Sequence, residues 1–157
     1  ILSDALAAKE ASFIRISKGG IDEENEVKSP NHFICETEGQ TLVISHGKMV
    51  GNTLAAHKIS PIFSIFAMDL IKPLDDNLLT SLFVRFKRVV VIEDNFRSGL
   101  FNSICQWAIE SEAPHKNIIS IAPDESYDEV MGDSAYLEDK HDLSVGKIVK
   151  RITRLIK

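Results

Sequence analysis

Apolar strands that each end in a turn signal and lead into a helical pattern recur along this chain, and that alternation constrains its fold most. Thr41 to Ile59 reads as strand, turn and helix; Ile71-Lys72-Pro73-Leu74-Asp75 and Val89-Val90-Val91-Ile92-Glu93-Asp94 continue the rhythm. Parallel strands cannot be joined by a tight turn and need crossovers long enough to hold a helix, so the pattern implies a parallel α/β sheet. Five strands are expected: Phe33 to Thr37 at an edge, Leu42 to Ser45, Ile62 to Met68, Val89 to Ile92, and Ile118 to Ile121. Gly39 gives a tight turn between the first two, which predicts that they pair antiparallel.

Helix signals fill the gaps. Asp75 or Asp76 is placed to cap a helix whose Leu78, Leu79, Leu82, Phe83 and Phe86 share one face. Ser98-Gly99 opens another, with Leu100, Ile104, Trp107 and Ala108 toward the sheet. Ser144 is the expected cap of the last, where Val145, Ile148, Val149, Ile152, Leu155 and Ile156 form a stripe. The predicted fold class is α/β: a three-layer α/β/α sandwich with a five-stranded, mostly parallel sheet and right-handed crossovers.

A length of 157 residues suits one domain with part of another, and a hydrophobic share of 44% is ample for a core. No apolar run is long enough to span a bilayer, and Ile1-Leu2-Ser3-Asp4 lacks the basic start of a signal peptide. The missing initiator Met leads us to expect that the chain starts inside a longer protein. Cys35 and Cys105 form no C-x-x-C pair, which favours buried free thiols in a reducing cytoplasm over a disulfide or zinc site. A net charge of −5 argues against general nucleic-acid binding. Lys147, Lys150, Arg151, Arg154 and Lys157 nevertheless concentrate cations in the last helix. They fit either a membrane or partner surface or simple complementation of the helix dipole, and the dipole is the favoured reading.

Leu2 to Lys9 reads as the end of a helix and Ser12 to Ser17 as a short strand. Gly19-Gly20, the acids from Asp22 to Glu26, and Pro30 then look like an interdomain linker. The expected organisation is residues 1–18 from a neighbouring domain, 19–31 as linker, and 32–157 as the α/β domain.

Taken in order, Ser45-His46-Gly47, Ile71-Lys72-Pro73-Leu74-Asp75, Glu93-Asp94, the late loop with Asp124 and Gly132, and the closing helix with Leu143 and Ile148 match a known pattern. The set resembles the C-terminal domain of transketolase-like, thiamine-diphosphate-dependent enzymes, within the group of deoxyxylulose phosphate synthases, pyruvate dehydrogenase beta chains and split bacterial transketolases. Phe13 to Gly19 looks like the last strand of the preceding pyrimidine-binding domain of that family. Two departures stand out. Phe101 occupies a position where the family often has Gly after the strand-end Glu, and Met131 stands where many relatives have a His before Gly132.

The resemblance implies two-carbon ketol transfer or 2-oxo acid chemistry for an intact enzyme, with thiamine diphosphate and Mg²⁺ as cofactors. The Gly-Asp-Gly diphosphate motif and its distant Asn are absent from this sequence, and the activating Glu would lie upstream of Ile1. The chain is therefore expected to bind no cofactor and to be inactive alone. Its implied partners are the other domains or a separate chain of such an enzyme, and a second copy in a homodimer. No catalytic residue and no nucleic-acid or membrane partner is expected.

Lys18 is the candidate substrate contact, because relatives place an Arg there for a sugar phosphate or carboxylate; a solvated surface lysine is the alternative. Arg15, on the opposite face of that strand, reads as structural. Glu93 and Asp94 end a central strand, where α/β sheets hold their ligands. They fit a cation or acid–base site, or else structural roles, with Asp94 capping the turn and Glu93 accepting backbone N–H bonds. His46 and Gly47 end another strand, and Gly47 to Gly51 opens a helix whose N-terminus suits an anion, although such turns often use Gly only for its φ. His57 on a helix, with His32, His115 and His141 in expected loops, lacks metal-ligand spacing. Two further functions stay open: a non-catalytic interaction subunit of a split enzyme, and an independent anion- or nucleotide-binding α/β domain.

Overall fold

The computed structural model describes residues 2–15, 31–113 and 117–156. Five strands form one sheet: β1 (Asn31–Cys35), β2 (Thr41–Ser45), β3 (Ser64–Met68), β4 (Arg88–Ile92) and β5 (Ile118–Ile121). Their spatial order is β1-β3-β2-β4-β5. The pairs β3–β2, β2–β4 and β4–β5 are parallel, and β1 runs antiparallel to β3 at one edge. Helices α1 (Leu2–Ala7), α2 (Lys48–Ile59), α3 (Asp76–Arg85), α4 (Leu100–Glu110), α5 (Ser134–Lys140) and α6 (Val145–Ile156) complete the described elements.

Side-chain alternation along β2 separates two cores. Leu42 and Ile44 meet Leu79, Leu82 and Phe83 of α3 and Leu100, Ile104 and Trp107 of α4. Val43 meets Met49 and Ala56 of α2 and Ile148 and Ile152 of α6. The sheet is thus covered on both faces, as the expected α/β/α sandwich requires. Ile148 and Ile152 of α6 are buried in the second core and Val145, Val149, Leu155 and Ile156 pack against it partly buried, so the helix turns its apolar stripe inward and its basic stripe outward. No helix among the described residues is long and apolar enough to cross a membrane.

Several local expectations need correction. β1 pairs with β3 and not with β2. Both edges of β2 are taken by parallel neighbours, and β1 is instead fastened to the outside of β3. Leu70 N–H donates to Asn31 Oδ1 at 3.0 Å, Thr37 N–H donates to Ser64 Oγ at 2.9 Å, and the Phe33 ring meets Phe66 edge-on at 5.0 Å. Asn31, the last residue of the expected linker, is therefore the first of β1, and the rest of that linker lies outside the described residues. His32 also lies in β1 and not in a loop. Residues 12–15 carry no strand: they are exposed and have no ladder partner, while 16–17 lie outside the described residues. Phe13 is 93% exposed, unlike Phe63, Phe66, Phe83 and Phe86 in the core.

The caps follow local chemistry. Asp75, not Asp76, caps α3, accepting from Leu78 N–H at 2.9 Å. Ser144 precedes α6, but its hydroxyl donates to Asp139 at 2.9 Å, and only its carbonyl accepts from the helix. The short helix α5, not foreseen from the sequence, is capped by Asp133, which accepts from Tyr136 N–H at 2.8 Å. Cys35 and Cys105 are free thiols, half-buried and not fully buried, and burial pushes both thiols up.

Ile44 has no exposed surface and belongs to the core shared by α3 and α4. Ile44→Ala is expected to lower stability by about 2–5 kcal/mol through lost transfer energy and a residual cavity. Urea unfolding followed by circular dichroism measures it, and a loss well below that range would mean the site collapses around the truncation.

Candidate functional site

From β2 the chain turns into α2 on one face of the sheet, and from β4 it turns into α4 on the other. β2 and β4 are neighbours, with Ser45 opposite Ile92 in the ladder. Connections that leave adjacent parallel strands toward opposite faces open a crevice at the carboxyl ends, the place where such sheets bind ligands. His46, Gly47, Glu93 and Asp94 all stand there, brought together by the β2–β4 pairing. Lys18 lies outside the described residues, as does His115.

Gly47 is required by backbone conformation and not by space: its φ of 54° and ψ of −136° disfavour any residue with a Cβ, although no atom lies within 4 Å of where that Cβ would be. Its N–H donates to Asp69 Oδ1, just beyond β3, at 3.3 Å. Among the described residues no side chain accepts from the first-turn amides of α2.

Glu93 is fully buried and directed at α4. Its Oε2 accepts from Leu100 N–H at 2.9 Å and its Oε1 from Phe101 N–H at 3.1 Å. Both carboxylate oxygens thus satisfy amides that the first turn of any helix leaves without intrahelical partners, at the end where the helix dipole favours negative charge. Gly99 makes this approach possible, since a Cβ there would lie 2.2 Å from Glu93 Oε2. Burial pushes the Glu93 carboxyl above its ordinary value, with the two amide bonds pulling the other way.

Asp94, the next residue, turns to a different partner: Arg15 Nη1 lies 3.5 Å from its Oδ1. Arg15 therefore ties the N-terminal segment to the strand ends. Burial lowers the His46 imidazole below its usual value; Asp94 and Asp69 oppose this and Arg15 reinforces it. The ring is accordingly neutral near pH 7, with one nitrogen able to accept a proton. Glu93 and Asp94 do not converge as a cation cage, and no group of three or more acidic, His or Cys side chains suited to a metal occurs among the described residues.

Beside the crevice, a cleft of about 420 Å³ extends between Asp94, Phe96, Tyr127 and α5. Its floor is a polar clamp that sequence reasoning missed. Lys48 pairs with Glu138 and donates to Ser134 Oγ at 2.6 Å; Asn52 donates to Glu138 Oε2 at 2.8 Å and to the Leu143 carbonyl at 3.2 Å. Burial opposes ionisation of Glu138, but the bonds from Lys48, Asn52 and Ser134 outweigh it and hold the carboxyl below its usual range. Asp128 receives Lys140 at 2.6 Å and His141 Nε2 at 2.9 Å, which fastens the loop after β5 onto α5. These contacts join residues 86 or more positions apart for the α2–α5 clamp, and no local signal in a sequence announces them.

No protein-family model and no curated protein matches the sequence. Similar solved structures do exist. A split-gene transketolase, described as an inactive beta4 tetramer, matches with a TM-score of 0.81 at 19% identity over 98% of this chain and 52% of that one. A 2-oxoglutarate:ferredoxin oxidoreductase from Magnetococcus marinus, solved with 2-oxoglutarate, coenzyme A and succinyl-CoA, matches with a TM-score of 0.52 at 17% identity over 87% of this chain and 20% of that one. The chain spans about half the length of the transketolase chain it matches. These likenesses establish the fold: the chain has the α/β architecture expected for a transketolase-like C-terminal domain.

Gly99→Ala is expected to cost about 1–3 kcal/mol, because the new methyl must displace the Glu93 carboxylate from α4; chemical denaturation reads the loss. Glu93→Gln exposes the titration of the same group. A carboxyl raised in the folded state contributes stability that is fully present below its unfolded value of 4.5 and is lost as pH rises through the folded value. The wild-type stability minus that of E93Q is therefore expected to fall as pH rises above 4.5, and a flat difference would remove the burial argument.

Proposed function

We propose that this chain is the C-terminal, non-cofactor-binding domain of a transketolase-like enzyme that carries out two-carbon ketol transfer or 2-oxo acid chemistry. One observation carries the reading: the match to the split-gene transketolase structure covers 98% of this chain. The ordered motifs Ser45-His46-Gly47, Ile71 to Asp75 and Glu93-Asp94 support it from the sequence. In this reading residues 1–18 finish a pyrimidine-binding domain, 19–31 are a linker, and Lys18 contacts the substrate's phosphate or carboxylate. The domain supports a homodimer and shapes one wall of the substrate channel. Thiamine diphosphate and Mg²⁺ belong to the intact enzyme and are held by other domains. A reducing cytoplasm suits the two free thiols.

A second reading is a non-catalytic interaction subunit that binds a separate catalytic chain. Coverage of only 52% of the transketolase chain, itself described as inactive, favours keeping it.

Calorimetric titration of the chain with thiamine diphosphate and Mg²⁺ is expected to give no binding heat. Adding a chain that carries the diphosphate-binding domain is expected to produce thiamine-dependent ketol transfer, which Lys18→Ala lowers chiefly through KM. One-to-one cofactor binding by this chain alone would overturn the domain reading. Complex formation that changes no turnover would favour the interaction subunit.

A further inference from the structure

The loop after β5, residues 124–133, contains Asp124, Glu125, Asp128, Glu129 and Asp133 and no cation. It also presents Tyr127 at 100% exposure, Met131 at 96% and Val130 at 55%. Soluble surfaces rarely leave such residues together without a partner. The outward stripe of α6 is the electrostatic opposite: Lys147, Lys150, Arg151 and Arg154 recur at one-turn spacing, and the helix holds no acid.

Part of each charge set is already committed. Asp124 pairs with Arg97, Asp128 with Lys140 and His141, and Lys147 with Asp139 and Asp142. Arg151 reaches the Ser120 carbonyl at 3.5 Å. Glu125 and Glu129 on the loop, and Lys150 and Arg154 on α6, are exposed and make no close ion pair among the described residues, although Lys140 lies within electrostatic reach of Glu129 and Asp139 within that of Lys150. The two surfaces flank α5. The loop is bound to the end of α5 through Asp128, and the first turn of α6 is bound to the same end through Lys147 and Asp139.

We infer that the acidic, apolar loop 124–133 of one copy docks on the basic face of α6 of a second copy, in a two-fold pair built around α5. Such symmetry uses each surface twice, because residue i meets j and j meets i. Glu125 and Glu129 meet Lys150 and Arg154, and Tyr127, Val130 and Met131 supply the apolar centre that a stable interface needs. The inference rests on the proposed reading that the chain works as a dimer, and it names the surface.

The test is sedimentation of the whole chain over a range of concentrations. Raising salt from about 0.05 M to about 0.5 M is expected to weaken the pair by about tenfold or more, since facing surface charges are screened. Lys150→Glu with Arg154→Glu puts acid against acid, and Glu125→Lys with Glu129→Lys puts base against base. Each double variant is expected to sediment as a folded monomer, with unfolding still cooperative because none of the four residues is buried. Mixing the two variants is expected to restore a pair, as every loop then meets a helix of opposite sign. A wild-type pair unmoved by salt and by both reversals overturns this surface while leaving the dimer reading intact. A wild-type monomer at every concentration overturns both. Variants that dissociate but fail to pair when mixed also overturn it.

Discussion

β2 has no free edge and no free face, and most of the architecture follows from that confinement. Thr41 to Ser45 are all buried, with β3 and β4 in parallel register on either side and helices above and below. A strand so enclosed must be hydrophobic on both faces, and each of its amides must be used by a neighbour. Parallel pairing with both neighbours dictates long crossovers, which become the helical layers. It also places the departures into α2 and α4 side by side, so the crevice is a by-product of how the central strand is satisfied. A one-residue slip would exchange the two cores at a stroke.

The second organising influence is polar and long-range. The Lys48–Glu138 pair, with Asn52 and Ser134, fixes α5 to the first turns of α2. Asp128 does the same for the preceding loop through Lys140 and His141. These partly exposed contacts contribute less per pair than the core does, yet they determine where the late loop stands. Without them a seven-residue helix with no buried side chain would have little reason to persist.

How much was legible in the sequence depended on whether a signal was local. Val89 to Ile92 reads as a buried strand from four β-branched residues, and the faces of α3, α4 and α6 read from helical spacing. The pairing of β1 did not, because turn length suggests a hairpin while the side chain of Asn31 and the ring of Phe66 settle the edge from far away. α5 escaped notice since Asp133-Ser134 is a cap signal without the apolar periodicity that usually follows it. At the crevice, the strand-end placement of His46, Gly47, Glu93 and Asp94 was visible, and so was the option that Glu93 takes backbone amides. The roles of Asp69 and Arg15 were not, because both depend on contacts with chain distant in sequence.

The meeting of Glu93 with the amides of Leu100 and Phe101 makes the two sides of the crevice unequal. On the β4 side the chain supplies its own anion, so the helix end that would attract a guest is already occupied from within. Gly99 keeps that internal ligand in place by contributing no atoms of its own. On the β2 side no described carboxylate takes the first-turn amides in this way; the Gly47 N–H ahead of them donates to Asp69 Oδ1, and Gly47 itself holds a left-handed conformation. The β4 half of the crevice is therefore closed by a contact internal to the chain, while the β2 half rests on a backbone conformation that glycine adopts most freely.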